Sequence, residues 1–282
     1  MKTVVITGSS GFIGNQIAKR FQGDNYRVIK TTREYYKQKH DTLYLDLSNH
    51  NSIKDSLKSI SYDTIIHFGA NIGFNKKYEE IYSENVQATE IISNITYEKN
   101  ARIIFASGTI VYDEKLEYVD GSSEPKPSSP YGVSKLKAEE VIKNSQVKNS
   151  ILRIGGVFGL NGPNHLKLNT TIKDALEKKI PTFSGNINSH RNYIYIKDLV
   201  ETILYFDKKN INGLHIVAGN KKISFIELIK NICDVMMPGS VPNIINENIP
   251  LKSQFYKPSD LMPQNHSFID CLKDIKYDYE NI

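Results

Sequence analysis

Apolar residues in this chain follow two alternating rhythms. Short β-branched runs, too brief for helices, are separated by longer stretches with apolar positions three and four apart. The runs are Thr3–Thr7, Tyr26–Thr32, Leu43–Leu45, Asp63–Ala70 with its exit, Arg102–Ala106, Ser150–Ile154 and Gly213–Val217. Helical spacing covers Ile13–Phe21, Ser48–Ile60 with Ser48 or Asn49 as cap, Tyr78–Tyr97, Leu166–Lys179 and Ile223–Met236. A further helix emerges from the Pro-, Ser- and Gly-rich loop 121–130 and runs to about Lys143. Strands and helices alternating in this way imply right-handed crossovers and an α/β doubly wound parallel sheet. From Pro238 onward the pattern dissolves, and that stretch reads as irregular.

The first run stops on glycine. Gly8, Gly11 and Gly14 follow it, and the chain restarts as a helix at Phe12-Ile13. A strand that ends this way presents unpaired N–H groups at the positive end of the helix, a ready site for a pyrophosphate. Gly8 permits the tight turn, Gly11 lets a phosphate approach the backbone, and Gly14 lets helix and strand lie close. Directly after the first strand of the chain, with Ser10, Phe12 and Ile13 completing the turn, the trio reads as a dinucleotide site.

Bulk properties narrow the class. The 282 residues suit one two-lobed unit or two small domains, and a hydrophobic content of 39% can fill a core. No apolar stretch approaches a membrane span, and the N-terminus enters a strand at once, so the expected compartment is the cytoplasm. Cys233 and Cys271 form no disulfide framework, and seven scattered histidines argue against a metal site. The net charge of +5 comes from dispersed lysines, so neither nucleic acid nor membrane is an expected partner.

Three further positions carry chemistry. Arg33 stands just past the second strand, where an acidic residue favours NAD and an arginine pairs with the 2′-phosphate of NADP, although a solvated arginine is equally at home there. Tyr131 and Lys135 lie four apart on one helical face, and an ammonium near a phenol lowers its pKa toward neutrality. Such a tyrosine exchanges a proton with a sugar hydroxyl or ketone during hydride transfer. His67 reads as a packed core histidine.

The combination Thr7-Gly8-Ser9-Ser10-Gly11-Phe12-Ile13-Gly14, Asp46-Leu47, His67-Phe68-Gly69-Ala70, Asn85-Val86 and Tyr131-Gly132-Val133-Ser134-Lys135 resembles the extended short-chain dehydrogenase/reductases. This branch contains nucleotide-sugar epimerases, dehydratases and reductases. The resemblance implies a Rossmann-type domain over 1–158 and a substrate lobe over 159–282, with about 190–218 rejoining the first. It implies that Asp46 and Leu47 flank the adenine and that Phe68, Gly69 and Ala70 line the cofactor. Asn85 supports the central helix, Tyr131 is the acid/base, and Lys135 holds the nicotinamide ribose. Arg191 is expected on a substrate diphosphate, with an ion pair to Asp198 as its structural alternative. Relatives often dimerise through the helices carrying Asn85 and Tyr131, and Ile91, Ile92, Ile95, Val141 and Ile142 offer apolar material for a homodimer or for the core.

Two departures from the family pattern matter. Thr109-Ile110 stands where dehydratases carry Asp-Glu, which argues against dehydration. Gly108 falls where many relatives place a catalytic Ser or Thr, so a neighbour must supply the hydroxyl. Ser107 is the expected choice and Thr109 the reserve, both on one face if the segment stays extended. Gly156 replaces a substrate-binding asparagine. The leading expectation is an NADP-dependent reductase of a nucleotide-linked 4-keto-6-deoxyhexose. A 4-epimerase with bound NAD is the alternative, and a cofactor-sensing protein without catalysis comes third.

Overall fold

The computed structural model describes residues 1–73, 77–245 and 251–281. Seven strands form one sheet: β1 (Thr3–Thr7), β2 (Arg27–Thr32), β3 (Thr42–Tyr44), β4 (Thr64–His67), β5 (Arg102–Gly108), β6 (Lys148–Ile154) and β7 (Gly213–Val217). Their order is β7-β6-β5-β4-β1-β2-β3, with parallel registers from β3 through to β6. The order reverses beside β1, and a sheet of this kind opens a crevice at the carboxyl ends of its strands there. This is the doubly wound architecture expected from the alternating pattern. The helices of this part include α1 (Phe12–Gln22), α2 (His50–Lys58), α3 (Tyr78–Tyr82), α4 (Ala88–Glu98) and α5 (Pro130–Asn144), and most of a later helix, Ile196–Lys208, joins them.

Boundaries shift for local reasons. Asn49 caps α2, its side chain accepting from the Ser52 N–H at 3.2 Å. The helix expected over Tyr78–Tyr97 is continuous but contains a π turn at Ser83–Gln87, between α3 and α4. Ser129 caps α5 by accepting from the Gly132 N–H, with Pro130 in the first turn. The segment after Pro238 carries a helix that its polar composition conceals, Phe268–Glu280, capped by Ser267 and burying Cys271, Leu272 and Ile275.

The chain divides into two compact units. The first comprises 1–113, 124–154 and 200–215; the second comprises 114–123, 155–199 and 216–282. In the first, α2, α4 and α5 cover one face of the sheet with a core that includes Ile65, Ile103, Phe105, Ala138 and Ile151. Ile92, Ile95 and Ile142 belong to that core and Ile91 packs against it, so most of the apolar residues considered for a dimer contact serve the sheet instead. Among the described residues no helix is long and apolar enough to cross a membrane.

Segment 200–215 closes the first unit through a buried polar hub. The fully buried Asp207 carboxylate accepts from Lys2 Nζ at 2.8 Å, Tyr26 OH at 2.8 Å and Thr64 Oγ1 at 2.7 Å. Nearby, the buried Arg102 guanidinium donates to the carbonyls of Phe206 at 2.9 Å and Ile211 at 2.6 Å and to Ser150 Oγ at 2.7 Å. Removing one partner of a buried polar set strands the others, at a cost of about 3–5 kcal/mol. Asp207→Ala is therefore expected to lower the urea midpoint by that amount of stability, and an unchanged midpoint would contradict the hub.

Candidate active site

The glycine turn has the geometry that a close phosphate approach requires. Gly8 adopts φ +69°, a left-handed conformation, and a Cβ there would lie 2.8 Å from the Gly69 nitrogen. A Cβ on Gly14 would lie 2.2 Å from the Gly8 carbonyl oxygen, so only glycine lets α1 start this near β1. Gly11 is the N-cap and provides no side-chain cap, which leaves the first-turn N–H groups of α1 available to an anion. Ser9 fixes the turn to β2: its hydroxyl donates to the Thr31 carbonyl at 3.0 Å and accepts from the Thr31 N–H at 3.2 Å. Ser10 and Gly11 are exposed, while Phe12 and Ile13 are half-buried.

The other residues expected around a cofactor lie in the same unit. Arg33 is exposed at the end of β2, and no hydrogen bond or ion pair engages it among the described residues. Its neighbour Glu34 is held by Lys37 Nζ at 2.7 Å and by the Tyr36 hydroxyl. Asp46 Oδ1 accepts from the backbone N–H and hydroxyl of Ser48, at 3.0 and 2.9 Å. Leu47 reaches under Gly69, where a Cβ would be 3.2 Å from both Leu47 Cδ1 and Thr7 Oγ1. Phe68, Gly69 and Ala70 are partly exposed just past the end of β4.

His67 is a core residue with a defined tautomer. The Thr89 hydroxyl donates its one hydrogen to the Asn85 carbonyl at 2.6 Å. Thr89 Oγ1 must then accept from His67 Nε2 at 3.1 Å, which leaves Nδ1 to accept from the Thr7 hydroxyl at 2.6 Å. Thr7 in turn accepts the Gly69 N–H at 3.0 Å. Burial, reinforced by the Lys135 charge, pushes the imidazole pKa down to about 3, so His67 is neutral. The chain of bonds ties the β4 exit to the π turn.

Asn85 sits in that turn, 3% exposed, and joins three segments. Its Oδ1 accepts from the Asn71 N–H at 2.7 Å, and its Nδ2 donates to the Asn71 carbonyl at 2.8 Å and to Ser134 Oγ at 2.9 Å. Ser134 donates to the Tyr131 carbonyl at 2.8 Å, which fixes the first turn of α5. π turns recur at functional sites, and here one aims an amide between the β4 exit and the tyrosine's helix.

On α5, burial raises the Tyr131 pKa. The depression expected from Lys135 is not found: burial alone sets the direction of the shift. Lys135 is itself 3% exposed, with Nζ 4.1 Å above the Phe105 ring and no hydrogen-bond partner among the described residues. Burial lowers its pKa to about 7, opposed by the Glu139 carboxylate. A buried amine with no hydrogen-bond partner among the described residues is an unmet donor, and it suits a ribose hydroxyl pair.

Ser107 and Thr109 part company. Ser107 Oγ donates to Glu139 Oε1 at 2.6 Å, inside the core. Glu139 is also gripped by Arg153, whose Nε and Nη2 lie 3.0 and 2.7 Å from its two oxygens, and Arg153 Nη1 donates to the Tyr112 hydroxyl at 2.8 Å. The strand alternation ends at Gly108, because Thr109 opens a 3₁₀ turn (Thr109–Val111). Thr109 is half-buried, and its hydroxyl makes no hydrogen bond among the described residues. Glu139, Arg153 and Thr89 were not singled out from sequence, and Thr7 and Ser134 stood inside the family-like motifs without a role of their own; only Glu139, four residues beyond Lys135, carried a spacing that points to it.

Arg191 lies in the second unit. Its guanidinium donates to the carbonyls of His190, at 3.2 Å, and Lys252. Asp198, its anticipated alternative partner, instead accepts from His266 Nδ1 at 2.5 Å. Gly156 is backed by Tyr193, whose Cδ1 would be 2.9 Å from an added Cβ. A cavity of about 730 Å³ in this unit is lined by residues that include Tyr193, Tyr195, Asp198 and His266. None of the residues expected to be functional lines it.

Comparison with known proteins gives the fold and the family. An uncharacterised UDP-glucose epimerase of Bacillus subtilis is 27% identical over 255 residues, 79% of this chain and 81% of its own. Among solved structures, UDP-N-acetylglucosamine 4-epimerase from Bacillus cereus superposes with a TM-score of 0.85 at 19% identity, covering 100% of this chain and 98% of its own. The dTDP-4-dehydrorhamnose reductase of Bacillus anthracis, solved with NADP, gives 0.80 at 19% identity over 99% and 100%. These structural likenesses establish the fold. The sequence profile of the NAD dependent epimerase/dehydratase family matches residues 4–219, so the chain belongs to that family, among the extended short-chain dehydrogenase/reductases.

Proposed function

We propose that the protein is an NADPH-dependent reductase of a nucleotide-linked 4-keto-6-deoxyhexose. The first unit holds the dinucleotide, the second contributes the substrate lobe, and the enzyme works in the cytoplasm. The observation that carries the reading is Lys135: a buried ammonium with no hydrogen-bond partner among the described residues, one turn from Tyr131 on a capped helix. The first-turn N–H groups of α1 bind the diphosphate, Asp46 and Leu47 flank the adenine, and Phe68, Gly69 and Ala70 line the path between them. Lys135 donates to the nicotinamide ribose. The reduced nicotinamide, when bound, supplies the hydride. Tyr131 donates the phenolic proton to the ketone oxygen, and its raised pKa suits a group that starts as an acid. Arg191 binds the substrate diphosphate after releasing the two carbonyls.

Because Ser107 gives its hydrogen to Glu139, the substrate-positioning hydroxyl is assigned to Thr109. Thr109→Val is expected to lower turnover about 10²-fold, the scale of losing one positioned group, with little change in cofactor affinity. Ser107→Ala should do less, and Tyr131→Phe sets the floor. Steady-state rates of the three variants decide it: full activity of Thr109→Val returns the role to Ser107, and full activity of Tyr131→Phe removes the mechanism.

Cofactor choice rests on Arg33, which is uncommitted while Glu34 is paired. A charged hydrogen bond to a 2′-phosphate contributes about 1.5–3 kcal/mol, so NADPH should bind at least tenfold more tightly than NADH. Arg33→Asp should narrow or reverse that ratio. Equal affinities of the native protein, measured by fluorescence titration, would exclude the assignment.

The 4-epimerase reading draws on the relatives that are epimerases and uses the same Tyr131 and Lys135; NAD retained through purification and turnover would favour it. A homodimer through the Asn85 and Tyr131 helices belongs to either reading, with the exposed Tyr78 and Tyr82 of α3 as apolar surface beside those helices. Sedimentation at micromolar concentration should give twice the chain mass, and a monomer would refute it.

A further inference from the structure

Lys135 is not the only cation buried beneath β5. Arg153 on β6 is 4% exposed, and Lys143, at the rim of α5, reaches to 3.7 Å from Glu139. One anion answers all three. Glu139 is 0% exposed, one helical turn beyond Lys135 on the same helix, and its carboxylate is held by Ser107 from β5 and Arg153 from β6. On the remaining sides Lys135 meets the Phe105 ring from β5 and the neutral His67 from β4, neither of which carries a negative charge. Tyr131, on its own helix, is protonated, because burial raises its pKa. An ammonium taken out of water without an opposing charge gives up its proton.

We propose that Glu139 is a positioning residue for the cofactor: the one buried carboxylate of this cluster among the described residues, it offsets Lys135 and Arg153 and keeps the Lys135 ammonium charged in the core. The inference rests on the reading that Lys135 holds the nicotinamide ribose. Ser107 then has a structural role. Together with Arg153 it clamps the carboxylate, so Glu139 cannot swing onto Lys135 and occupy the ammonium hydrogens that the ribose needs. His67 complements this, because its bonded neutral tautomer adds no second positive charge beside Lys135. Burial brings the Lys135 pKa to about 7 even with Glu139 raising it, so removing the carboxylate should deprotonate Lys135 at a lower pH.

The test is NADH affinity across pH 6–9, followed by nicotinamide fluorescence; NADH lacks the 2′-phosphate that would itself titrate. A charged Lys135 favours binding, so affinity should be highest at the acid end and fall as pH rises through its titration, by at most tenfold per unit for one proton. In Glu139→Gln the fall should begin at least one unit lower, giving about tenfold weaker binding at pH 7.5 and a smaller gap at pH 6. Glu139→Asp should restore most of the profile, which a purely structural role would not predict. Lys143→Met, at the rim, should leave the midpoint in place. If Glu139→Gln fails to fold, Glu139→Gln/Arg153→Met, which removes the stranded guanidinium with its partner, is compared with Arg153→Met alone: the midpoint of the double variant should lie at least one unit below that of the single one, and equal midpoints overturn the inference. Lys135→Met should bind weakly with a flat profile. A flat profile in Lys135→Met beside an unmoved midpoint in the Glu139 variants overturns the inference alone. A native profile in Lys135→Met overturns the ribose assignment beneath it.

Discussion

Holding a lysine amine inside the core is the constraint to which the rest of the first unit answers. Lys135 is almost wholly withdrawn from water, so its surroundings must tolerate a cation: the face of Phe105 beneath it, a carboxylate one turn along, and a histidine prevented from charging. Each comes from a different element, β5, α5 and β4. The central strands and the tyrosine's helix are thus held in register by electrostatics as well as by apolar packing. Buried ion pairs contribute little net stability, because desolvation cancels most of the attraction, so this cluster is better understood as setting geometry than as strengthening the fold.

The glycine turn faces the complementary problem. It must leave donors unsatisfied, and it does so by omitting side chains. Gly11 provides no cap, Gly14 brings the helix down onto Gly8, and Gly8 takes a conformation closed to most residues. The first unit therefore offers uncapped N–H groups at the start of α1 and an unpaired ammonium on α5. Both are unmet donors, and a dinucleotide with two phosphates and a ribose diol has acceptors for each. Between them, the bonds running from Gly69 through Thr7, His67 and Thr89 to Asn85 hold the exit of β4.

Much of this was legible in the sequence because it depends on local constraints. A glycine that must adopt positive φ, or that has a carbonyl oxygen 2.2 Å from where a Cβ would stand, leaves a mark in the chain, and so does a strand that must be apolar on both faces. The site was less legible where side-chain direction decides. Extrapolating strand alternation past Gly108 placed Ser107 and Thr109 on one face, but the 3₁₀ turn begins at Thr109 and separates them. The pKa of Tyr131 was read from the Tyr-Lys spacing alone, which says nothing of burial, and burial dominates. The terminal helix was hidden by charged and polar residues on its open face, although Cys271, Leu272 and Ile275 keep helical spacing. Asp207 has partners 143 to 205 residues away, and Glu139 and Arg153 are joined to Ser107 and Tyr112 across 32 and 41 residues, separations that no local pattern spans.

The hub around Asp207 also has a consequence for the order in which the protein can be made. Lys2, Tyr26 and Thr64 belong to the first quarter of the chain, yet the carboxylate they share lies 143 to 205 residues further along. Arg102 likewise requires carbonyls at Phe206 and Ile211. While a ribosome is still adding the second unit's middle segment, the first unit has most of its sheet but lacks that anion, those carbonyls and the edge strand β7. Loop-closure entropy must be met before these distant contacts form. The nascent chain therefore passes through a long interval with an open sheet edge and a half-solvated Arg102, the state most exposed to mispairing and to chaperone capture.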